Sequence, residues 1–308
     1  MAHNKLKSEV DRALQLLEGY GEDHEHGAVL EITRGAIDSL IAQIDSLPVM
    51  QTRKIRTIHH LSCTGGTLFT KCLASMSNVL VLNEVDPYSV MPAAERGLSA
   101  FTPTDIVSLL RQGDSETPNE LFGQVFSASL RAIRDDQAAI GRNVILRDHS
   151  HSQFLTWDKP SARPTLLETV RRDFETHSII TVRDPIDSYI SMAKNGWHTQ
   201  FYPPTFAEYC RRYLLFLDRH ADVPIIKYES LTENPQETIQ NACELLDLKF
   251  FAGFEDTFQV FRLSGDSGRG GGKIQRKETR EIDSNLSEQD LYSDSYLQLK
   301  EKLQYGPR

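Results

Sequence analysis

The stretch His59-His60-Leu61-Ser62-Cys63-Thr64-Gly65-Gly66-Thr67-Leu68-Phe69 joins two different periodicities. Before it, "IRTIHHL" (55–61) is a β-type run. After it, Leu68, Phe69, Cys72, Leu73 and Met76 recur at helical spacing. Gly65 and Gly66 therefore lie where a buried strand becomes a helix, and they let the backbone turn sharply at little steric cost. The first N–H groups of such a helix lack intrahelical partners and carry the positive end of its dipole. Thr67 adds a hydroxyl donor. The turn is suited to a phosphate-like anion held on backbone amides; the plain alternative is an ordinary tight strand–helix turn.

A Walker A loop reads G-x-x-x-x-G-K-[ST]. Here Thr67 follows Gly66 directly, and Leu61 stands five positions before Gly66, so the pattern fails twice. "NVLVLNEVD" is only a loose source of a Walker B acid. Mg²⁺-dependent nucleotide hydrolysis is poorly supported.

Working outward, further β-type runs follow: "NVLVLNEV" (78–85), "NVILRD" (143–148), "SIITVRD" (178–184) and "VPIIKYE" (223–229), separated by helical patterns. Apolar-rich strands alternating with helices predict an α/β fold, a parallel sheet covered on both faces. The loops after the strands then share one edge, where ligands of open α/β sheets bind. Helices near 103–112 and 117–139 fill the long gap between the second and third runs, a natural place for an acceptor pocket. A polar helix from about Leu286 to Leu303 closes the chain. Residues 1–50 read as an N-terminal helical segment with two amphipathic helices, packed on the main domain or used in a homo-oligomer contact; residues 51–308 form the α/β domain.

The 308 residues are 39% hydrophobic and 25% charged, values of a globular protein. The formal net charge of -9 argues against broad attraction to nucleic acid. Cys63, Cys72, Cys210 and Cys243 form no CxxC pair, so free thiols in a reducing cytoplasm are expected. No apolar h-region follows Met1, and no run of about 18 apolar residues occurs, so no membrane span is expected.

"SIITVRDPIDSYISM" (178–192) is more specific. Its strand delivers Arg183 to the ligand edge. Asp184 is placed as an N-cap, Pro185 suits the first helical position, and Asp187 complements the helix start. Ser188 and Ser191 share one helical face. A guanidinium and a hydroxyl then aim at one spot, and Arg favours phosphate because its planar fork binds two oxygens.

Together the two motifs resemble those of sulfotransferases that use 3′-phosphoadenosine 5′-phosphosulfate (PAPS). Thr64, Gly65, Gly66, Thr67 and Leu68 match that family's 5′-phosphosulfate loop. Arg183, Pro185, Asp187 and Ser191 match its R-x-P-x-D-x-x-x-S motif, in which the Arg and Ser bind the 3′-phosphate. "IIKYESLTENPQETIQNACELLDL" (225–248) is similar to its Y-[ED]-x-L-x-x-x-P unit. The resemblance covers about residues 53 to 275 and implies a P-loop NTPase-like sulfotransferase fold, with PAPS as co-substrate and a hydroxyl-bearing acceptor, for which a glycan is the first guess. Many members carry Lys or Arg where this chain has Cys63. Arg147 is the first candidate substitute for that charge, ahead of Lys71.

Sulfuryl transfer needs a placed nucleophile, a base and positive charge on the leaving oxygen. In "NVILRDHSHSQF" (143–154), Arg147 and His149 match a basic residue and a His that the family often places here. They are the candidate catalytic pair; His151, Asp148 and Glu84 are alternative bases. Arg269, in the Gly-rich "SGDSGRGGGKIQRK" (264–277), is the candidate cover for the 3′-phosphate by location and composition. Adjacent His59 and His60 point to opposite strand faces and cannot easily share one ion. His24 and His26 read as part of a solvated polar loop, and no metal is expected. Trp197 is read as a buried aromatic or a pocket wall. The rival readings are an ATP-dependent P-loop small-molecule kinase and a non-catalytic nucleotide-binding protein.

Overall fold

The computed structural model describes residues 54–89, 106–113, 118–157, 159–160, 162–261, 263, 274–275, 286 and 288–306. The expected N-terminal helices over 1–50, with His24 and His26, lie outside these residues, as does Arg269.

Five parallel strands run in the order β2-β3-β1-β4-β5. They are β1 (Ile55–His60), β2 (Val79–Val85), β3 (Asn143–Asp148), β4 (Thr176–Val182) and β5 (Ile225–Lys227). The parallel α/β expectation holds, with small shifts of boundary. β4 stops before Arg183 because Asp184 turns the chain into a helix, and β5 is short because Tyr228 opens one. The central strand β1 is buried along its whole length, although four of its six residues, Arg56, Thr57, His59 and His60, are polar.

Helices cover both faces. On one face Ile58, Ile145, Ile179 and Ile226 pack under Phe69, Cys72 and Leu73 of α1 (Gly66–Ala74). The same cluster takes in Ile239 and Cys243 of α9 (Pro235–Leu245) and Phe254 of α10 (Phe254–Thr257). On the other, Leu130 of α3 (Asn119–Ala139) and Val170 of α5 (Leu166–Arg171) pack on Ile55, Val144 and Leu146. Ile180 and Val182 sit in a further cluster with α6 (Pro185–Lys194), α7 (Phe206–Asp218) and α11 (Asp294–Lys302). Each large apolar side chain so buried contributes roughly 1.5–3 kcal/mol. Helices α2 (Ile106–Gly113), α4 (His151–Phe154) and α8 (Tyr228–Glu233) complete the set used below. The expected closing helix is split at Ser293 into a 3₁₀ turn, Glu288–Tyr292, and α11.

The buried Arg56 is explained by a helix end. Its Nε donates to the Leu246 carbonyl at 2.7 Å and its Nη2 to that of Asp247 at 2.9 Å, satisfying orphan carbonyls beyond α9. Among the described residues no helix is long and apolar enough to cross a membrane.

Candidate active site

The loop after β1 turns through two left-handed residues, Cys63 at φ 65° and Gly65 at φ 90°. Gly65 caps α1 without a side-chain hydrogen bond. A Cβ on Gly65 would stand 2.3 Å from the Tyr228 ring, and one on Gly66 2.3 Å from the His60 ring. Both glycines are therefore fixed by close approach. The Thr64 hydroxyl is turned inward and donates to the Leu61 carbonyl at 2.8 Å, so this side chain braces the loop. Leu68 is half-buried against the α1 face of the core, and Thr67 stands at the first turn.

Arg147 supplies the cation that the loop itself lacks. It is buried at the end of β3, and its Nη2 donates to Thr67 Oγ1 at 2.9 Å. Its Nε donates to His60 Nε2 at 2.8 Å, and Nη1 to Asn83 Oδ1 at 2.8 Å, with Glu84 Oε1 at 2.9 Å. Burial, then the Arg147 charge, pushes His60 down to about 3, so the imidazole stays neutral and can accept from Arg147. Burial also pulls Arg147 down, and Glu84 opposes it. Asn83 and Glu84 reach Arg147 because β2 breaks register between Leu82 and Val85, with Glu84 at φ 57°. Such bulges re-aim side chains next to ligand sites.

Arg183 approaches the loop from the other side of β1. Its guanidinium lies 4.8 Å from the centroid of the Tyr228 ring, the ring that closes on Gly65. Its Nη1 donates to the Cys63 carbonyl at 3.4 Å, and Nη2 lies 3.8 Å from Asp187. Its Nε is buried with no hydrogen-bond partner, as is Thr181 Oγ1 two residues earlier. Asp184 caps α6 through Ile186 and Asp187 N–H, at 2.9 and 3.1 Å. The Asp184 N–H donates to Glu229 Oε1 at 2.9 Å, so the Tyr228-Glu229 pair braces the motif twice. Ser188 is sealed in the core on Asp184 and Tyr209. Ser191 is buried one turn before Asn195, whose amide nitrogen lies 3.9 Å from Cys63 Sγ. Arg183 and Asn195 thus both reach Cys63, and Asn195 also donates to the Ser191 carbonyl at 2.9 Å.

His149, just beyond β3, places Nε2 3.4 Å from Glu84 Oε2, and its ring meets His151 edge-on at 3.7 Å. Glu84, His149 and His151 form one cluster with ligand atoms within 4.8 Å of one another. Asp148 faces the opposite way, toward His59 and Ser150, as strand alternation requires. It is therefore no base for this edge.

Buried Arg212 ties the segment after β3 to the one after α6. It donates to the carbonyls of Phe154, Thr156, Trp157 and Tyr202 at 3.0–3.2 Å. In these two segments Trp157, Trp197 and Tyr202 remain 54%, 37% and 67% exposed, so Trp197 is not a core residue. The parts that the sequence reading left without a role are His60, Asn83, Tyr228 and Glu229. The Asn within β2 was the available signal, since Asn is depleted in strands.

The site thus lies at the strand-end edge of a parallel α/β sheet, with a glycine loop flanked by two arginines and a Glu–His–His cluster beside it. No family model matches the chain, and no curated protein matches its sequence. Among solved structures, the sulfotransferase domain of the curacin biosynthetic pathway gives a TM-score of 0.50 at 16% identity, over 83% of this chain and 99% of that one. The sulfotransferase domain of the Synechococcus PCC 7002 olefin synthase gives 0.49 at 18% identity, over 83% and 96%. Mouse sulfotransferase SULT7A1, solved with PAP, gives 0.37 at 11% identity, over 86% and 89%. The likeness to the curacin domain establishes a sulfotransferase-type α/β fold.

Proposed function

We propose that this chain is a sulfotransferase moving a sulfuryl group from PAPS to a hydroxyl acceptor. One observation carries the reading: Arg147 at Thr67 and Arg183 over Tyr228 flank one helix N-terminus from opposite sides of β1. Two separated cations around an amide cradle suit a nucleotide with two anionic groups. The Arg183 Nε, which has no hydrogen-bond partner, leaves a donor for it. The 5′-phosphosulfate would lie on Gly65, Gly66, Thr67 and Leu68, with Thr64 bracing the loop. The 3′-phosphate would lie on Arg183 and Ser191, covered by Arg269.

In this scheme the acceptor oxygen attacks sulfur in line, and the bond from sulfur to the bridging phosphate oxygen breaks. Arg147 stabilises the charge growing on that oxygen. His149, with Nε2 toward Glu84, takes the acceptor proton on its other nitrogen, and Glu84 steadies the imidazolium. The products are a sulfate ester and adenosine 3′,5′-bisphosphate, and no metal is needed. A glycan is the first acceptor class to test, as the family resemblance suggests, with Trp157, Trp197 and Tyr202 exposed to stack on a sugar ring. A cytoplasmic location and self-association through residues 1–50 belong to the same proposal.

Calorimetry should find tight binding of adenosine 3′,5′-bisphosphate and weak binding of ATP; the reverse supports a kinase. Turnover of labelled PAPS then separates an enzyme from a binding protein. Arg183→Ala should weaken bisphosphate binding far more than 5′-AMP binding, and equal losses refute its assignment. With His149→Ala, binding should survive while turnover falls; unchanged turnover moves the base to His151 or Glu84.

A further inference from the structure

We propose that His59, Asp148 and His220 form a binding site for one zinc ion, on the face of the sheet opposite the glycine loop. The three come from β1, β3 and the segment after α7, and each is at least 95% buried. Their potential ligand atoms all lie within 4.8 Å of one another. Two imidazoles and a carboxylate are a donor set that zinc accepts.

The orientation of the two rings is the stronger argument. Metal-binding histidines usually anchor their second nitrogen on a carbonyl, hydroxyl or carboxylate, which fixes the ring and its tautomer. His220 Nδ1 donates to the Phe216 carbonyl at 2.8 Å, so its lone pair is on Nε2. That Nε2 is buried and has no hydrogen-bond partner. The His220 ring lies 4.7 Å, centroid to centroid, from that of His59. His59 Nε2 is anchored by Thr57 Oγ1 at 2.8 Å, which leaves Nδ1 facing Asp148 Oδ2 at 2.7 Å. Ser150 holds the same carboxylate oxygen at 2.8 Å. Both imidazoles are thus braced at their far nitrogens, with the remaining nitrogen of each left toward the cluster, and Ser150 steadies the ligand oxygen of Asp148.

Zinc bonds of about 2.0–2.1 Å place neighbouring tetrahedral ligand atoms roughly 3.3 Å apart. The His59–Asp148 contact would open slightly and His220 would move in. The ion replaces the proton shared by His59 and Asp148, which leaves to solvent, and water or the Ser150 hydroxyl completes the shell. The Glu84, His149 and His151 group is the competing triad, but Arg147 already stands 2.9 Å from Glu84 and repels a second cation there.

The test uses the full chain, purified without a metal-affinity tag, stripped with chelator and titrated with Zn²⁺ and Co²⁺. One equivalent per chain, a visible Co²⁺ ligand-field band and a Tm raised by several degrees are expected. His220→Gln and Asp148→Asn should abolish all three, while His151→Gln keeps them. Absence of the band and of the Tm rise in the wild type would overturn the proposal, and so would retention by His220→Gln and Asp148→Asn. Should those variants fail to fold, His151→Gln decides: loss of Co²⁺ binding overturns the site, and retention supports it.

Discussion

Strands β1 and β3 carry two polar clusters, back to back, built from neighbouring residues. His60 and Arg147 face α1 and the glycine loop; His59 and Asp148, one residue away on each strand, face α7. Both pairs are buried, yet their chemistry differs. The loop-side pair adds Glu84 and Thr67, and Arg183 reaches the same loop across β1. The core-side pair adds Thr57, Ser150 and His220. The first arrangement gathers fixed positive charge at a helix N-terminus, where the proposed function would bring an anion. The second is closed by its own hydrogen bonds except at one imidazole nitrogen. Alternation on a strand thus separates the cluster at the glycine loop from a polar core by a single step along the chain.

Two substitutions divide these clusters most sharply. Arg147→Ala should lower turnover of labelled PAPS about 10²–10³-fold, the usual consequence of removing one donor to a developing oxyanion. Bisphosphate binding should change much less. Asp148→Ala should act on stability instead. It orphans the His59 Nδ1–H and the Ser150 hydroxyl, each at about 1–3 kcal/mol. Denaturant unfolding should show the loss, with turnover per folded molecule nearly kept. If Asp148→Ala abolished turnover in fully folded protein, the two faces would not be separate in function.

Gly66→Ala comes next. Its Cβ would collide with the His60 ring, which carries Arg147. The effect should therefore spread from loop to cation, weakening bisphosphate binding and turnover together, with a stability loss of roughly 1–3 kcal/mol from overpacking. A stability loss with normal kinetics would show that His60 does not transmit position to Arg147. Tyr228→Leu is gentler, because Leu fills some of the space beside Gly65 but offers Arg183 no π face. A cation–π contact of this kind is worth about 0.5–2 kcal/mol. Calorimetry should find the loss for the bisphosphate and not for 5′-AMP.

The sheet was legible because parallel strands, buried on both faces, leave apolar runs, and because glycines and Asp184-Pro185 mark the turns. Arg147 was legible as a candidate because it ends a β-type run, but its meeting with Thr67 depends on β3 lying beside β1, an order the sequence did not state. What could not be read is contact between distant positions. Nothing local to His59 announces Asp148, 89 residues on. The break in β2 that turns Asn83 and Glu84 together onto Arg147 depends on register with β3. Tyr228 looked like the end of a strand, but its ring closes on Gly65, so the chain turns helical earlier than its β-type residues suggest.

The smallest effect concerns Cys63. By resemblance a basic residue is expected there, which makes the thiol look like a missing catalytic charge. The structure directs Cys63 elsewhere: it packs against the core cluster of α6 and α7, with Sγ 3.9 Å from the Asn195 amide. Its left-handed backbone presents its carbonyl to Arg183, a contact that does not depend on the side chain. In the proposed scheme Arg147, on Thr67, carries that charge instead. Cys63→Ser should therefore leave turnover within roughly twofold, about 0.5 kcal/mol, the range of substitutions that touch no special feature. Steady-state kinetics with labelled PAPS would measure it. A tenfold loss would mean that the thiol itself meets the donor, and Arg147 would no longer suffice as the loop's cation.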